Sequence, residues 1–157
     1  MFYSWRINRL VKKLLWFDIK LAIAESCTGG MLASYITNIS GSSKLLDSSL
    51  VTYSNQAKQN LLDVKAATLK KYGAVSAETA KEMLLGVKKA RRVEYAIAIT
   101  GIAGPRSDDT KKPVGLVYIG VLTKKQNVIK EYNFSGTRKQ IRKQACLAAL
   151  KLFRKAL

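Results

Sequence analysis

The segment Ala24-Glu25-Ser26-Cys27-Thr28-Gly29-Gly30 joins two parts of the chain that have different hydrophobic patterns. The run that leads into it, residues 21–24, is entirely apolar, as in a buried strand. Residues 31–36, which follow it, are typical of a helix. The first amide groups of a helix have no partner within it, and glycines let the backbone come close to a ligand. The turn is therefore suited to holding an anion or a developing oxyanion. It also carries two candidate nucleophiles, Ser26 and Cys27.

The rest of the chain continues this alternation of strands and helices. Strands are predicted at residues 19–24, 45–53, 95–100, 114–121 and 128–134. Helices are predicted at residues 28–38, 55–62, 66–71, 77–92 and 137–157. Because only the last two strands read as a hairpin, the order predicts an α/β fold with a mixed sheet covered on both faces by helices. The loops at 25–30 and 101–105 are expected to share one edge of that sheet.

Residues 1–18 are predicted to form an amphipathic N-terminal helix. Its apolar residues Ile7, Leu10, Val11 and Leu14 follow helical spacing, and basic residues interrupt any secretory core. We expect this helix to pack on the domain, with a peripheral membrane or targeting role as the alternative. No apolar run approaches the roughly 20 residues of a transmembrane helix, and residues 1–157 are expected to form a single domain.

The chain is strongly basic, with 28 Lys and Arg residues against 10 Asp and Glu residues and a formal net charge of +18. Such a charge attracts nucleic acids and small phosphorylated ligands alike. The basic residues, however, are spread along the chain in pairs, and no helix-turn-helix or RNA-binding signature is present. A solvated basic surface is therefore favoured over a nucleic-acid site.

The absence of histidine restricts the chemistry that the chain can perform. Without histidine there is no Ser-His-Asp or Cys-His arrangement and no ordinary zinc site. The two cysteines, Cys27 and Cys146, lack metal-ligand spacing and indicate a reducing cytoplasm, so no metal site is expected. A serine nucleophile would need a lysine whose pKa is lowered, assisted by a phenol. Tyr53 and Lys58 are candidates for the phenol and the amine. Spacing alone, however, favours interpreting Tyr53 as a core aromatic residue and Lys58 as a surface residue of a helix.

The residues of the turn also have structural interpretations. A cap role and a nucleophile role for Ser26 are about equally supported, whereas Cys27 is better explained by packing. Glu25 can orient a cation, act as a base or cap the following helix. Residues 28–30 can close a turn, hold a phosphate or form an oxyanion hole.

Several blocks of sequence resemble the CinA C-terminal domain family, the nicotinamide-nucleotide amidases. The blocks are found in order at residues 24–30, 41–43, 51–58, 72–76, 100–105 and 112–115, followed by 134–138 and Arg142. The resemblance implies a three-layer α/β/α sandwich around a mixed, mostly parallel sheet of about five strands. It also implies hydrolysis of nicotinamide mononucleotide to nicotinate mononucleotide and ammonia.

Residue by residue, the resemblance implies that Ser26 attacks the carboxamide and that Lys58, aided by Tyr53, takes the serine proton. We infer the oxyanion hole from the backbone near Thr28, Gly29 and Gly30, and we add Glu25 as a candidate for substrate binding. The remaining candidates for substrate binding, including the phosphate, are Thr100, Gly101, Gly104, Arg138 and Arg142. We expect a homo-oligomer that acts on a small nucleotide in the cytoplasm without a cofactor.

The chain also departs from the family pattern. Residues 106–110 replace a stretch that is usually rich in glycine, and Ser48 and Ser49 replace a glycine pair. Larger members of the family carry an N-terminal pyrophosphatase-like domain, so no hydrolysis of nucleotide diphosphates is expected from these 157 residues. The alternative function is a catalytically silent binding module, or a basic protein that associates with nucleic acid in a competence or damage response.

Overall fold

The computed structural model describes residues 2–107 and 110–157 and contains one five-stranded sheet. The strands are β1 (Leu21–Glu25), β2 (Leu46–Val51), β3 (Tyr95–Gly101), β4 (Leu116–Leu122) and β5 (Asn127–Asn133). Their order in the sheet is β2-β1-β3-β4-β5. β1 pairs in parallel with β2 and β3, whereas β4 is antiparallel to both β3 and β5. The mixed sheet and its closing hairpin are therefore confirmed.

Helices cover both faces of the sheet. They are α1 (Phe2–Leu14), α2 (Met31–Thr37), α3 (Asn55–Leu62), α4 (Ala66–Tyr72), α5 (Ala77–Arg91) and α6 (Arg138–Ala156), with 3-10 turns at Leu15–Phe17 and Ser42–Lys44. One layer consists of α1, α2 and α6, and the other consists of α3, α4 and α5. This arrangement confirms the three-layer α/β/α sandwich.

The two faces of the sheet carry side chains of different size. In β1, Leu21 and Ile23 belong to the core beneath α1, α2 and α6, whereas Ala22 and Ala24 face α5. Alternate residues of a strand point to opposite faces, so a run that is apolar throughout is buried on both sides. The alanines leave room for α5 to lie close to the sheet.

The N-terminal helix packs on the domain, as expected. Its apolar residues Ile7, Leu10, Val11 and Leu14 are all buried. It is shorter than the predicted 1–18, because α1 ends at Leu14 and Asp18 adopts a left-handed backbone conformation, with φ of 46°, after the 3-10 turn. Across the described residues, every helix is too short or too polar to span a lipid bilayer.

Helix boundaries follow local capping chemistry. Ser54 and Ser76 accept hydrogen bonds from the amides of Ala57 and Thr79, which confirms both as N-caps. The predicted start of α2 at residue 28 is wrong, because Gly29 and Gly30 have φ of 55° and 87° and keep the turn out of the helix. In the segment that departs from the family pattern, Asp108 and Asp109 lie outside the described residues.

Candidate active site

Three neighbouring parallel strands end at the same edge of the sheet. Glu25, at the end of β1, pairs with Val51 of β2 and with Ile99 of β3. The next amide, that of Ser26, continues the ladder by donating to the carbonyl of Ile99 at 3.0 Å. Ser26 therefore lies between the segments that follow β2 and β3, and the expected common edge of the two glycine-containing loops is confirmed.

Lys58 of α3 reaches this edge of the sheet. Its Nζ donates to the Ser26 Oγ at 3.1 Å and to the backbone carbonyl of Thr52 at 2.8 Å. The side chain is buried, with a relative exposure of 1%, so its assignment to a surface position on spacing alone is wrong. The structure thus brings together a hydroxyl and an amine that are far apart in sequence.

The surroundings of Lys58 change its acid-base behaviour. Burial lowers the pKa of its amine from 10.5 to about 8, since a desolvated ammonium loses hydration. No carboxylate of the described residues forms an ion pair with it. A lysine of this kind has an uncharged fraction near neutral pH and can accept a proton from a hydroxyl within hydrogen-bond distance.

Tyr53 lies at the mouth of the same site and is 60% exposed, so its interpretation as a core aromatic is wrong. Its hydroxyl accepts a hydrogen bond from Nη2 of Arg138 at 2.7 Å. The Nη1 group of Arg138 donates to the carbonyl of Gly104 at 2.6 Å. Within the described residues, the Tyr53 hydroxyl makes no hydrogen bond to Ser26 or Lys58, so Arg138 is what holds it at the site.

Ser26 opens into a pocket of about 310 Å³. Among the predicted site residues, the lining includes Ser26, Tyr53, Lys58, Thr100, Gly101, Gly104 and Arg138. Residues that the site predictions missed also line it: Cys27, Ala74, Val75, Ile102, Ala103, Arg106 and Ser107. The cationic side chains in this lining are Lys58, Arg106 and Arg138, and no carboxylate of the described residues lines it. Such a pocket is suited to an anionic ligand.

The thiol beside Ser26 is poorly suited to act as the nucleophile. Cys27 is buried in the core between the sheet and α1, α2 and α6. Burial raises its pKa to about 12, because the thiolate would lose its hydration. Among the described residues, no group of three or more Cys, Asp and Glu side chains is placed to hold a metal ion.

Glu25 points away from the pocket, towards the start of α2. Its carboxylate accepts hydrogen bonds from the amides of Leu32 and Ala33, at 3.1 and 3.0 Å, and from the Ser49 hydroxyl at 3.0 Å. These are the contacts of a helix-capping carboxylate, which satisfies amides without partners and favours the positive end of the helix dipole. The structure does not place Glu25 among the pocket residues.

Arg142 and the residues of the glycine turn form the support of the site rather than its lining. Arg142 donates through Nε to the carbonyl of Cys27 at 3.1 Å and through Nη2 to that of Thr28 at 2.7 Å. The Gly29 amide is already bonded to the Ser26 carbonyl at 2.9 Å. The amides of Cys27 and Thr28, in contrast, donate to no backbone carbonyl of the described residues. Thr28, Gly29, Gly30 and Arg142 are absent from the described lining of the pocket.

One wall of the pocket is formed by the loop between α4 and α5, which the site predictions missed. Thr100 Oγ1 donates to the carbonyl of Ala74 at 2.7 Å, and Nζ of Lys112 donates to the carbonyls of Tyr72 and Val75 at 2.6 and 2.5 Å. These residues belong to three of the sequence blocks that resemble the family, 72–76, 100–105 and 112–115. Membership of these ordered blocks was the sequence signal that could have identified this loop as part of the site.

Comparisons with known proteins agree with this architecture. The model of the CinA C-terminal domain family matches residues 6–157. A CinA-like protein of Endomicrobium trichonymphae is 55% identical over 137 residues, covering 87% of this chain and 32% of that protein. A CinA-like protein of Kosmotoga olearia is 45% identical over 139 residues, covering 88% and 34%. The chain spans about a third of the length of these curated relatives.

Solved structures show the same fold over nearly the whole chain. A competence/damage inducible protein from Agrobacterium tumefaciens is 35% identical, with a TM-score of 0.91 and coverage of 98% of this chain and 94% of that one. A competence-damaged protein (CinA) superfamily protein from Escherichia coli is 32% identical, with a TM-score of 0.91 and coverage of 99% and 90%.

Proposed function

The chain belongs to the CinA C-terminal domain family, and from this premise we propose that it hydrolyses nicotinamide mononucleotide to nicotinate mononucleotide and ammonia. The observation that carries the proposal is the buried amine of Lys58, 3.1 Å from the Ser26 Oγ. A serine hydroxyl is a weak nucleophile until a base takes its proton, and this chain has no histidine to do so. The reaction belongs to pyridine nucleotide recycling and takes place in the cytoplasm.

In the first half of the reaction, uncharged Lys58 removes the Ser26 proton while the Oγ attacks the carboxamide carbon. The amide of Cys27, a residue of the pocket lining that donates to no carbonyl of the described residues, stabilises the negative charge on the carboxamide oxygen. When the tetrahedral intermediate collapses, the carbon–nitrogen bond breaks and the Lys58 ammonium protonates the departing nitrogen, which leaves as ammonia. The product of this half is an ester of nicotinate with Ser26.

In the second half, water takes the place of ammonia. Lys58 accepts a proton from the water as it attacks the ester carbonyl, and returns a proton to Ser26 when the carbon–oxygen bond breaks. The Tyr53 hydroxyl accepts from Arg138 and keeps its own proton available. We assign Tyr53 to hydrogen bonding with the substrate or leaving group at the pocket mouth.

The ligand's phosphate is favoured by the two arginines of the pocket lining, Arg106 and Arg138. No step requires a metal or another cofactor. We expect the enzyme to act as a homo-oligomer.

The direct test is release of ammonia from nicotinamide mononucleotide, with the acid product identified by mass spectrometry. Ser26→Ala is expected to reduce turnover about a thousandfold or more, because it removes the nucleophile. Cys27→Ala is the matched control in the same turn and is expected to keep most of the activity. Turnover that survives in Ser26→Ala but not in Cys27→Ala would contradict the proposal.

A second candidate function is binding of nucleic acid without catalysis, favoured by the net charge of +18. It predicts duplex binding whose affinity falls steeply with salt, together with no ammonia release from the folded wild-type protein. Titration of a labelled duplex at several salt concentrations distinguishes it from the amidase.

A further inference from the structure

The cationic residues of the pocket are not equally free to bind a ligand. The amine of Lys58 is bonded to Ser26 and to the Thr52 carbonyl, and it is needed as a base. Arg138 uses one terminal nitrogen for the Gly104 carbonyl and the other for the Tyr53 hydroxyl. Two of the five N–H donors of Arg138 are thus already used to hold Tyr53 and the loop after β3.

Arg106 is different. It lines the pocket and is exposed, and its guanidinium forms no hydrogen bond or ion pair with any described residue. An arginine presents a planar set of N–H donors that matches two oxygens of a phosphate at once. Arg106 therefore offers the pocket an anion-binding group that no described residue occupies.

The position of Arg106 also suits the far end of the substrate. Ser26 and Lys58, which must meet the carboxamide, are only 8% and 1% exposed. The phosphate lies at the opposite end of nicotinamide mononucleotide from the carboxamide, so it is placed towards the open side of the pocket. Arg106 lines the pocket and is exposed to solvent, in contrast to Ser26 and Lys58.

We propose that Arg106 binds the phosphate of the mononucleotide and makes this enzyme prefer the phosphorylated substrate over the corresponding riboside. This inference rests on the proposed amidase function. Arg106 lies in the segment that is usually rich in glycine in the CinA C-terminal domain family. The proposed contact with the phosphate is therefore a feature of this chain's sequence and not of the usual family pattern.

The test compares Arg106→Gln with Lys111→Gln, which removes the same charge from an exposed residue of the same loop that does not line the pocket. Kinetics are measured with nicotinamide mononucleotide and with nicotinamide riboside. Arg106→Gln is expected to raise KM for the mononucleotide about tenfold to a hundredfold, with kcat little changed, because a charge-assisted contact made in the ground state is lost. The riboside kinetics of Arg106→Gln, and both substrates with Lys111→Gln, are expected to stay within about twofold of wild type.

An equal loss with both substrates would overturn the inference, because it would indicate a structural role. A phosphate-specific loss in Arg138→Gln but not in Arg106→Gln would overturn it as well.

Calorimetry separates failure of this inference from failure of the proposed reaction. Nicotinate mononucleotide and nicotinate riboside are titrated into the wild type, Arg106→Gln and Lys111→Gln. If no amide is hydrolysed but the mononucleotide binds more tightly than the riboside only while Arg106 is present, the reaction is wrong and the phosphate contact stands. If Arg106→Gln leaves that preference unchanged, the contact is wrong whatever the enzyme does.

Discussion

At the scale of single residues, the environment of Lys58 decides whether Ser26 can be a nucleophile. The amine is held by the Thr52 carbonyl at 2.8 Å and by Ser26 at 3.1 Å, without an ion pair to any described carboxylate. A paired carboxylate would favour the ammonium and stop it from accepting a proton. Burial without such a partner instead favours the uncharged amine, which can act as a base near neutral pH.

The pH dependence of turnover follows from that environment. With the pKa of Lys58 lowered from 10.5 to about 8, roughly a tenth of the enzyme has the uncharged base at pH 7, against well under a thousandth at the ordinary value. We expect kcat/KM for nicotinamide mononucleotide to rise about tenfold per pH unit between pH 6.5 and 7.5 and to level off above pH 8. Initial rates across pH 6.5 to 9.5 in buffers of constant ionic strength provide the measurement. A profile that is flat, or that falls through pH 8, would show that Lys58 is not the base.

At the scale of elements, the site depends on segments that are fixed by side chains from elsewhere. The carbonyls of residues 72–75, from the last residue of α4 into the loop before α5, all accept hydrogen bonds from side chains. The donors are Lys112 for Tyr72 and Val75, Ser76 and Thr79 for Gly73, and Thr100 for Ala74. This loop belongs to no strand and forms no hydrogen bonds of a β-sheet. The side-chain hydrogen bonds are therefore what hold this wall of the pocket in place.

The position of α3, which carries Lys58, is set by its close contact with α5. A Cβ atom added at Gly86 of α5 would lie 2.0 Å from the carbonyl oxygen of Leu62, at the end of α3. Only glycine permits this approach, since the obstacle is backbone rather than a side chain that can rotate. The contact links a core position on α5 to the placement of Lys58.

Gly86→Ala is therefore expected to destabilise the protein despite the better helix propensity of alanine. Propensity favours the variant by about 1 kcal/mol, whereas forcing two helix backbones apart in a packed core typically costs about 1–3 kcal/mol or more. The overlap with the Leu62 carbonyl is severe, so we expect a net loss of about 1–2 kcal/mol in the free energy of unfolding and reduced turnover. Urea unfolding and ammonia release measure the two effects.

Lys88→Ala, at an exposed position of the same helix, serves as the control and is expected to change stability by no more than about 0.5 kcal/mol. A Gly86→Ala protein more stable than wild type would show that α3 and α5 separate without cost.

At the scale of the whole molecule, the net charge of +18 surrounds a pocket whose described lining is itself cationic. The field of the protein and the local cations act in the same direction on an incoming phosphate. The charge is thus compatible with a small phosphorylated substrate and does not by itself require a nucleic acid.

Ionic strength is expected to separate the charged substrate from its neutral analogue. Raising salt from about 20 to about 200 mM shortens the distance over which exposed charges interact, and KM for nicotinamide mononucleotide should rise severalfold. KM for nicotinamide riboside should change little, because it lacks the phosphate. Initial-rate kinetics at several concentrations of potassium chloride make the comparison. Equal responses of both substrates would mean that the charge of the protein plays no part in substrate capture.

The sequence by itself determined the kind and order of the helices and strands, because these follow from local patterns. Alternation of apolar residues, serine caps and the glycine turn after residue 25 act over a few positions and can be read without knowing the fold. The ordered motif blocks also pointed to Ser26, Tyr53 and Lys58 as members of one site.

Only the tertiary structure decided the environment of each of these residues. It buried Lys58, exposed Tyr53, turned Glu25 into a helix cap, and placed Arg142 beneath the glycine turn rather than in the pocket. It also brought Arg106 into the lining, a residue that no motif had marked. Burial, pKa and distance depend on which distant segments come into contact when parallel strands pair. Local patterns in the sequence do not specify these long-range contacts.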